Sequence, residues 1–323
     1  MNEERYGLFQ INNNPNSDMD IIFIHGLGGD KFTTWENEKN ESWQKWLAQD
    51  HNVSVWSIAY GANKTNWIED DMSLDATADF MLGTLTSQGI GKKPYMFVVH
   101  SLGGLLAKKI LLKANVHGEY KELLDMCKSI IFFAVPHTGS GWANLLNFGK
   151  PLLRNSKVLT ALPKGTDELH NLAINFNAII IKEEIETYVF YETKEIRAKG
   201  LLSLFHLNKG IVIVSQESAT QIHSTNQKVP LPADHLSICK IESKDSDLYK
   251  NKIRTIIEKT MDTSTQIQEN EIPNQNTIGS QETPVTMSHS GSGDIVYGDK
   301  TENSIIVEGD NSAPIIIGNN NKF

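Results

Sequence analysis

The chain has 323 residues, 39% of them hydrophobic and 21% charged, with 30 Lys+Arg against 39 Asp+Glu for a net charge of −9, a length that suits one large α/β domain or two smaller ones. The acidic balance argues against a nucleic-acid partner, which needs clustered Lys/Arg to displace counterions, and no apolar run reaches the roughly 18–20 residues of a membrane-spanning helix. The polar start MNEERYGLFQINNN lacks the basic-then-apolar order of a signal peptide, and two cysteines, Cys127 and Cys239, are too few for a disulfide framework or a four-ligand zinc site, so the expectation is a cytoplasmic protein with no metal and no cofactor.

Six short apolar runs follow one another along the chain: DIIFIHG (20–26), VSVWSIAYG (53–61), PYMFVVHS (94–101), SIIFFAVP (129–136), TYVFYET (187–193) and GIVIVSQ (210–216). They are nearly continuous rather than alternating, as strands covered on both faces of a parallel sheet are. Helical patterns separate them: SWQKWLAQ, LDATADFMLGTL, LGGLLAKKILLKA and, after the last run, YKNKIRTIIEKT. Strands alternating with helices predict a mostly parallel, doubly wound α/β fold. The long stretch of about 141–186, with several Leu-rich pieces, is read as a small helical cap over the C-terminal edge of the sheet.

The first run ends in Ile24-His25-Gly26-Leu27-Gly28-Gly29. This Gly-rich turn lacks both the GxGxxG spacing and a following Lys-Ser/Thr, so a phosphate cradle is disfavoured. The third run passes into a helix through Val99-His100-Ser101-Leu102-Gly103-Gly104. A serine on such a strand-to-helix turn is presented above the sheet, with Val99 standing where the G-x-S-x-G pattern has its first glycine. The plainer alternative is a serine that merely caps the helix. As a nucleophile, Ser101 would have the Leu102 backbone N–H beside it for a developing oxyanion, and the earlier turn would supply a second donor from Leu27.

His235, in Pro232-Ala233-Asp234-His235-Leu236, lies after the last apolar run and before the C-terminal helix, in the chain order Ser, acid, His. His100 is expected to point into the sheet, His25 to brace the oxyanion turn, and His137 to sit in a turn beyond a strand. His206, His223 and His289 have no comparable position. The acid is Glu192, which ends the run TYVFYET, or alternatively Glu217 just past the next run. Strand-end position favours Glu192. Asp234, next to the histidine, is expected to point elsewhere.

Composition changes near residue 262. From Asp262 to Phe323 the net charge is −7, leaving −2 for the first 261 residues. The domain is therefore set at 1–261 and followed by a polar, Pro-containing linker (262–287) that cannot bury enough apolar area to offset its ordering entropy. Residues 288–323 hold GDIVYGD, SIIVEGD and APIIIGN, short β-branched runs closed by turn residues. Low local charge and an Asn run favour cross-β stacking or strand addition, which reads as a self-association or docking tail, the plainer alternative being a disordered one. A calcium-binding nonapeptide repeat is disfavoured because its spacing does not recur.

HGLGG with Thr34-Trp35, VHSLGGLLAKK, IIFFAVPHTGSGWA, FYET, ESA and ADHLSICK, in that order, resemble one family. It is the α/β-hydrolase serine esterase/lipase family that includes serine-active-site proteins of phospholipid remodelling, and similar domains stand at the N-termini of NACHT-type immune receptors. The resemblance covers roughly residues 20–260. It implies Ser101 as nucleophile, His235 as base, Leu27 and Leu102 as oxyanion donors, and a turn at Pro136–Ser140 that shapes the pocket floor. It leaves the acid open between Glu192 and Glu217. The implied substrates are carboxylic or phospholipid acyl esters, with transient contact to a membrane surface. Ile315–Asn321 is similar to the I-x-I-G-x-x-N core of RIP homotypic interaction and amyloid-signalling motifs, with Ile at the usual central Gln. Together these imply an esterase recruited or oligomerised by its tail, as an effector of intracellular antiviral defence. The alternative is an inactive hydrolase-fold module acting through tail-mediated oligomerisation.

Overall fold

Runs of Ile, Val, Phe and Tyr covered on both faces make the central strands. The computed structural model describes residues 6–61, 72–149, 166–196, 210–222 and 227–271. Among the described residues seven strands form one sheet: β1 (Gly7–Asn12), β2 (Met19–Ile24), β3 (Val53–Ala59), β4 (Tyr95–His100), β5 (Cys127–Phe133), β6 (Glu186–Glu192) and β7 (Gln227–Leu231). Their order is β1-β3-β2-β4-β5-β6-β7. All neighbouring pairs are parallel except β1, which runs antiparallel to β3 along the edge. The fold is the expected mostly parallel α/β-hydrolase sheet with helices on both faces.

Alternation along each strand sends side chains to two separate cores. On one face Ile22, Ile24, Phe97, Val99, Ile130 and Phe132 pack against α2 (Leu74–Ser87), α3 (Leu102–Val116) and α4 (Lys121–Asp125). On the other, Ile21, Phe23, Met96, Val98, Ile131 and Phe133 meet α1 (Trp43–Asp50) and the C-terminal helix. The second core is aromatic: Phe23 lies 4.9 Å from both Trp35 and Trp43, edge to face, a geometry that adds to the area the rings bury. Ser73 starts α2 as an N-cap, accepting from the Ala76 N–H at 3.1 Å.

Four expectations need correction. GIVIVSQ is not a strand: Ile211 makes only an isolated bridge to Ile196, and the chain turns at once into α7 (Gln216–Thr220), which follows α5 (Gly139–Gly149) and α6 (Thr166–Lys182). The seventh strand is instead QKVPL, and GLFQIN forms the antiparallel edge strand, neither of which stands out as a strand in the sequence. The cap reading of 141–186 divides: α5 reaches the functional site, but Leu169, Leu172, Phe176, Ile179 and Ile180 of α6 join the core with α3, so α6 is a crossover helix between β5 and β6. The last helix, α8 (Arg254–Glu271), continues from a π-helical segment Leu248–Ile253 and runs ten residues past the boundary at 261. Its buried Thr260 and Ser264 hydroxyls are satisfied by carbonyls one turn back, those of Ile256 and Thr260.

The chain divides into two units, Met1–Pro273 and Asn274–Phe323. The linker from 272 onward and the tail at 288–323 lie outside the described residues. Among the described residues no helix is long and apolar enough to cross a membrane.

Candidate active site

Strand β4 ends at His100 and α3 begins at Leu102, leaving Ser101 alone to reverse the chain. Its backbone sits at φ 50°, ψ −121°, in the positive-φ region that L-residues seldom enter. The turn closes because position 103 is glycine: a Cβ there would collide with the carbonyl oxygens of Ile24 and His25 at the end of β2. Gly26 allows an equally close approach from the other side, since a Cβ on it would stand 2.7 Å from His100 Nδ1 and 2.8 Å from Ser101 Cβ. Val99, in place of the pattern's first glycine, is fully buried with its side chain in the core.

The structure brings Ser101, His235 and Glu192 into one chain of hydrogen bonds. His235 Nε2 lies 2.9 Å from Ser101 Oγ, and its Nδ1 lies 2.7 Å from Glu192 Oε2. A carboxylate can only accept, so Nδ1 carries the proton and Nε2 faces the serine hydroxyl as an acceptor. All three side chains are buried, at 0%, 2% and 2% exposure. Glu192 ends β6, and its second oxygen, Oε1, accepts from the backbone N–H groups of Ile213 (2.6 Å) and Val214 (3.0 Å). The residues expected to form a strand therefore spend their N–H groups on a carboxylate. Glu217 lies exposed in the first turn of α7, away from this chain of contacts.

The loop that carries His235 is tied down at both ends. Thr193 N–H donates to the Leu231 and Ala233 carbonyls, fixing the end of β6 to the chain just before the histidine. Asp234 Oδ1 accepts from the Leu236 and Ser237 N–H groups, so it caps its own turn and points away from the imidazole. Beyond the histidine, Trp43 Nε1 donates to the Cys239 carbonyl at 2.9 Å, and Lys240 Nζ donates to the Thr33 and Glu36 carbonyls at 2.7 and 3.1 Å. His100 is not aimed into the sheet: its Nε2 meets the His235 carbonyl at 2.9 Å, so the residue before Ser101 steadies the backbone of His235. Burial holds the His100 imidazole well below its usual pKa, which keeps it a neutral donor.

The two other expected residues lie on the turn after β2 and at the start of α3. Leu27 follows Gly26 there and Leu102 opens α3, where the first N–H groups have no helical acceptor. Among the described residues neither N–H has a hydrogen-bond partner. His25 braces this turn as expected, donating from Nδ1 to the Gly26 carbonyl at 3.0 Å and stacking on Tyr60 at 4.6 Å. Tyr60 returns a hydrogen bond to the His25 carbonyl at 2.7 Å. Burial lowers the His25 pKa to about 4. The Phe148 ring of α5 stands edge-on to His235 at 6.1 Å, an apolar cover that nothing in the sequence pattern singled out. His206, His223 and His289 lie outside the described residues. Among the described residues no three His, Cys, Asp or Glu side chains converge as a metal site would require.

A seven-stranded, mostly parallel sheet with a serine on the β4–α3 turn defines the α/β-hydrolase fold. No family model matches the sequence. Protein SERAC1 of Danio rerio is 31% identical over 261 residues, covering 73% of this chain and 38% of that protein. Its human counterpart is 29% identical over 261 residues, with 74% and 38% covered. The chain thus spans 38% of the length of these curated relatives. Among solved structures, phospholipase PlaB from Legionella pneumophila in complex with thio-NAD is similar in fold, with a TM-score of 0.52, 15% identity, and coverage of 78% of this chain and 62% of that one.

Proposed function

We propose that the chain is a serine esterase or lipase that hydrolyses carboxylic esters, phospholipid acyl esters among them, with Ser101 as nucleophile, His235 as general base and Glu192 as the acid. The observation that carries this reading is the pair of contacts on one imidazole, 2.9 Å to Ser101 Oγ and 2.7 Å to Glu192 Oε2. His235 Nε2 takes the hydroxyl proton as Ser101 Oγ attacks the ester carbonyl. Glu192 stabilises the imidazolium that forms and holds the ring in the correct tautomer. The Leu27 and Leu102 N–H groups receive the oxyanion, and collapse expels the alcohol, which takes its proton from His235. Water activated by the same imidazole then attacks the acyl-enzyme and frees the acid. The apolar cover of Phe148 and the likeness in fold to a phospholipase support an acyl chain as the group bound.

Ser101→Ala is expected to lower turnover of a short acyl ester by at least about a thousandfold, with folding intact. Unchanged turnover, or a fluorophosphonate probe that fails to label Ser101 in the folded protein, sinks the reading in favour of an inactive binding module.

The second part of the proposal is a cytoplasmic effector in antiviral defence whose residues 288–323 assemble copies of the chain or dock a partner. It rests on the β-branched, turn-punctuated sequence and on Ile315–Asn321. Truncation after Pro273 is expected to reduce the assembled size while leaving turnover per subunit unchanged. An unaltered sedimentation profile on truncation removes the case for self-assembly.

A further inference from the structure

Lys108 lies on α3 about two turns beyond Ser101 and is 1% exposed, without a carboxylate partner among the described residues. Its Nζ stands 2.6 Å from His137 Nδ1 and faces the rings of Phe132 and Phe176, 5.9 and 5.4 Å from their centroids. A buried cation in such surroundings is costly, and leucine or methionine would fill the space without that cost. Burial pushes its ammonium down to about 7 and holds His137 neutral, so the ammonium donates and Nδ1 accepts.

The backbone of His137 is bonded in its turn to a second helix. The His137 N–H donates to the Ser218 carbonyl at 3.0 Å, and Ser218 Oγ also lies 3.4 Å from the Thr138 N–H. Ser218 belongs to the short helix α7, whose N-cap, Ser215, accepts from the Ser218 N–H at 3.3 Å. The residue before that cap is Val214, which with Ile213 donates to Glu192 Oε1. A physical path therefore leads from α3 through His137 and α7 to the carboxylate, and α3 is the helix that Ser101 opens.

We propose that Lys108 and His137 form a buried positioning pair that sets the Ile213–Val214 backbone and so aims Glu192 at His235. The pair touches neither substrate nor reacting atoms. The proposal rests on the hydrolase reading for its functional meaning. Loss of the pair lets α7 and the donors to Glu192 shift, and small displacements of an aligned catalytic group cost up to about a hundredfold in rate.

The test compares wild type, Lys108→Met, His137→Gln and the double variant for kcat, KM and melting temperature on a short acyl ester. For Lys108→Met, kcat is expected to fall about tenfold to a hundredfold, with KM within about twofold. Its melting temperature should change little, because relief of the buried amine offsets the His137 Nδ1 left without a donor. The double variant should be no slower than the slower single variant, as for two residues acting as one unit. A Lys108→Met kcat within twofold of wild type overturns the proposal, as does a loss that tracks a lower melting temperature, or additive losses in the double variant. If wild type itself leaves the ester intact, the hydrolase reading falls separately. The pair is then read from the 15N-imidazole signals of His235: a change in Lys108→Met supports it, and an unchanged spectrum overturns it.

Discussion

Around β2 and β4, Ser101 and the Leu27 turn sit at the ends of fully buried strands, whereas around β6 and β7, Glu192 and His235 depend on irregular backbone. The first region is set by close packing. Gly26 and Gly103 bring β2 and the β4–α3 turn together more closely than any side chain would allow. The second is set by hydrogen bonds: two N–H groups on Glu192, two carbonyls on the Thr193 N–H, and the Lys240 and Trp43 ties beyond the histidine. Damage to the first region should therefore read as lost stability together with lost rate. Damage to the second should read as lost rate with the fold retained.

The largest effect that separates the two regions is expected at Glu192. Glu192→Gln keeps the volume but offers the imidazole a neutral partner, so kcat should drop by about a thousandfold while the melting temperature moves little. Glu217→Gln, on the exposed turn of α7, should stay within about twofold of wild type, and a larger loss there would reopen the choice of acid. Gly103→Ala tests the packed region. Its Cβ collides with two backbone carbonyls, so urea unfolding should show a loss of about 3 kcal/mol along with reduced turnover. A stable, slow Gly103→Ala protein would erase the contrast between the regions.

Acid titration tests the packed side more gently. The pKa of His25 falls from 6.5 to about 4 on burial, so between those values the unfolded chain binds more protons than the folded one. The contribution of the neutral His25 is thus fully present above about pH 6.5 and is lost as pH falls through 4. The loss amounts to about 3 kcal/mol once the folded-state pKa has been crossed. Unfolding free energies measured from pH 7 to 4 should fall less in His25→Phe than in wild type by about that amount, the share from buried His100 and His137 remaining in both.

The packed region is also the one the sequence reveals. HGLGG and VHSLGG follow unbroken apolar runs, because strands covered on both faces carry few polar residues. Glu192 is legible as a strand end for the same reason. The strands that escape are the two edges, each half in water: GLFQIN is mostly half-buried, and QKVPL carries an exposed Lys228 and a Pro230 that only an edge tolerates. GIVIVSQ misleads in the opposite way. Ile213 and Val214 are as buried as any strand residue, but their N–H groups face a carboxylate instead of a neighbouring strand, and hydropathy cannot register that difference. Lys108 escapes because it reads as half of a Lys-Lys pair on a helix surface. Only its partner Lys109 reaches acids, at Asp75 and Glu168, while Lys108 lies four residues after buried Gly104 and three before buried Leu111. That apolar spacing is the signal that would have found it.

The two main-chain donors to Glu192 also bear on how the protein tolerates change. A carboxylate held by side chains loses its support whenever one of those side chains mutates. Here the support is peptide groups, which every residue except proline supplies. Positions 213 and 214 are therefore free to drift among residues that fill the same core space without loosening Glu192, and proline is the one replacement that strips a donor outright. A scan of both positions should find activity following side-chain volume, with a sharp break at proline.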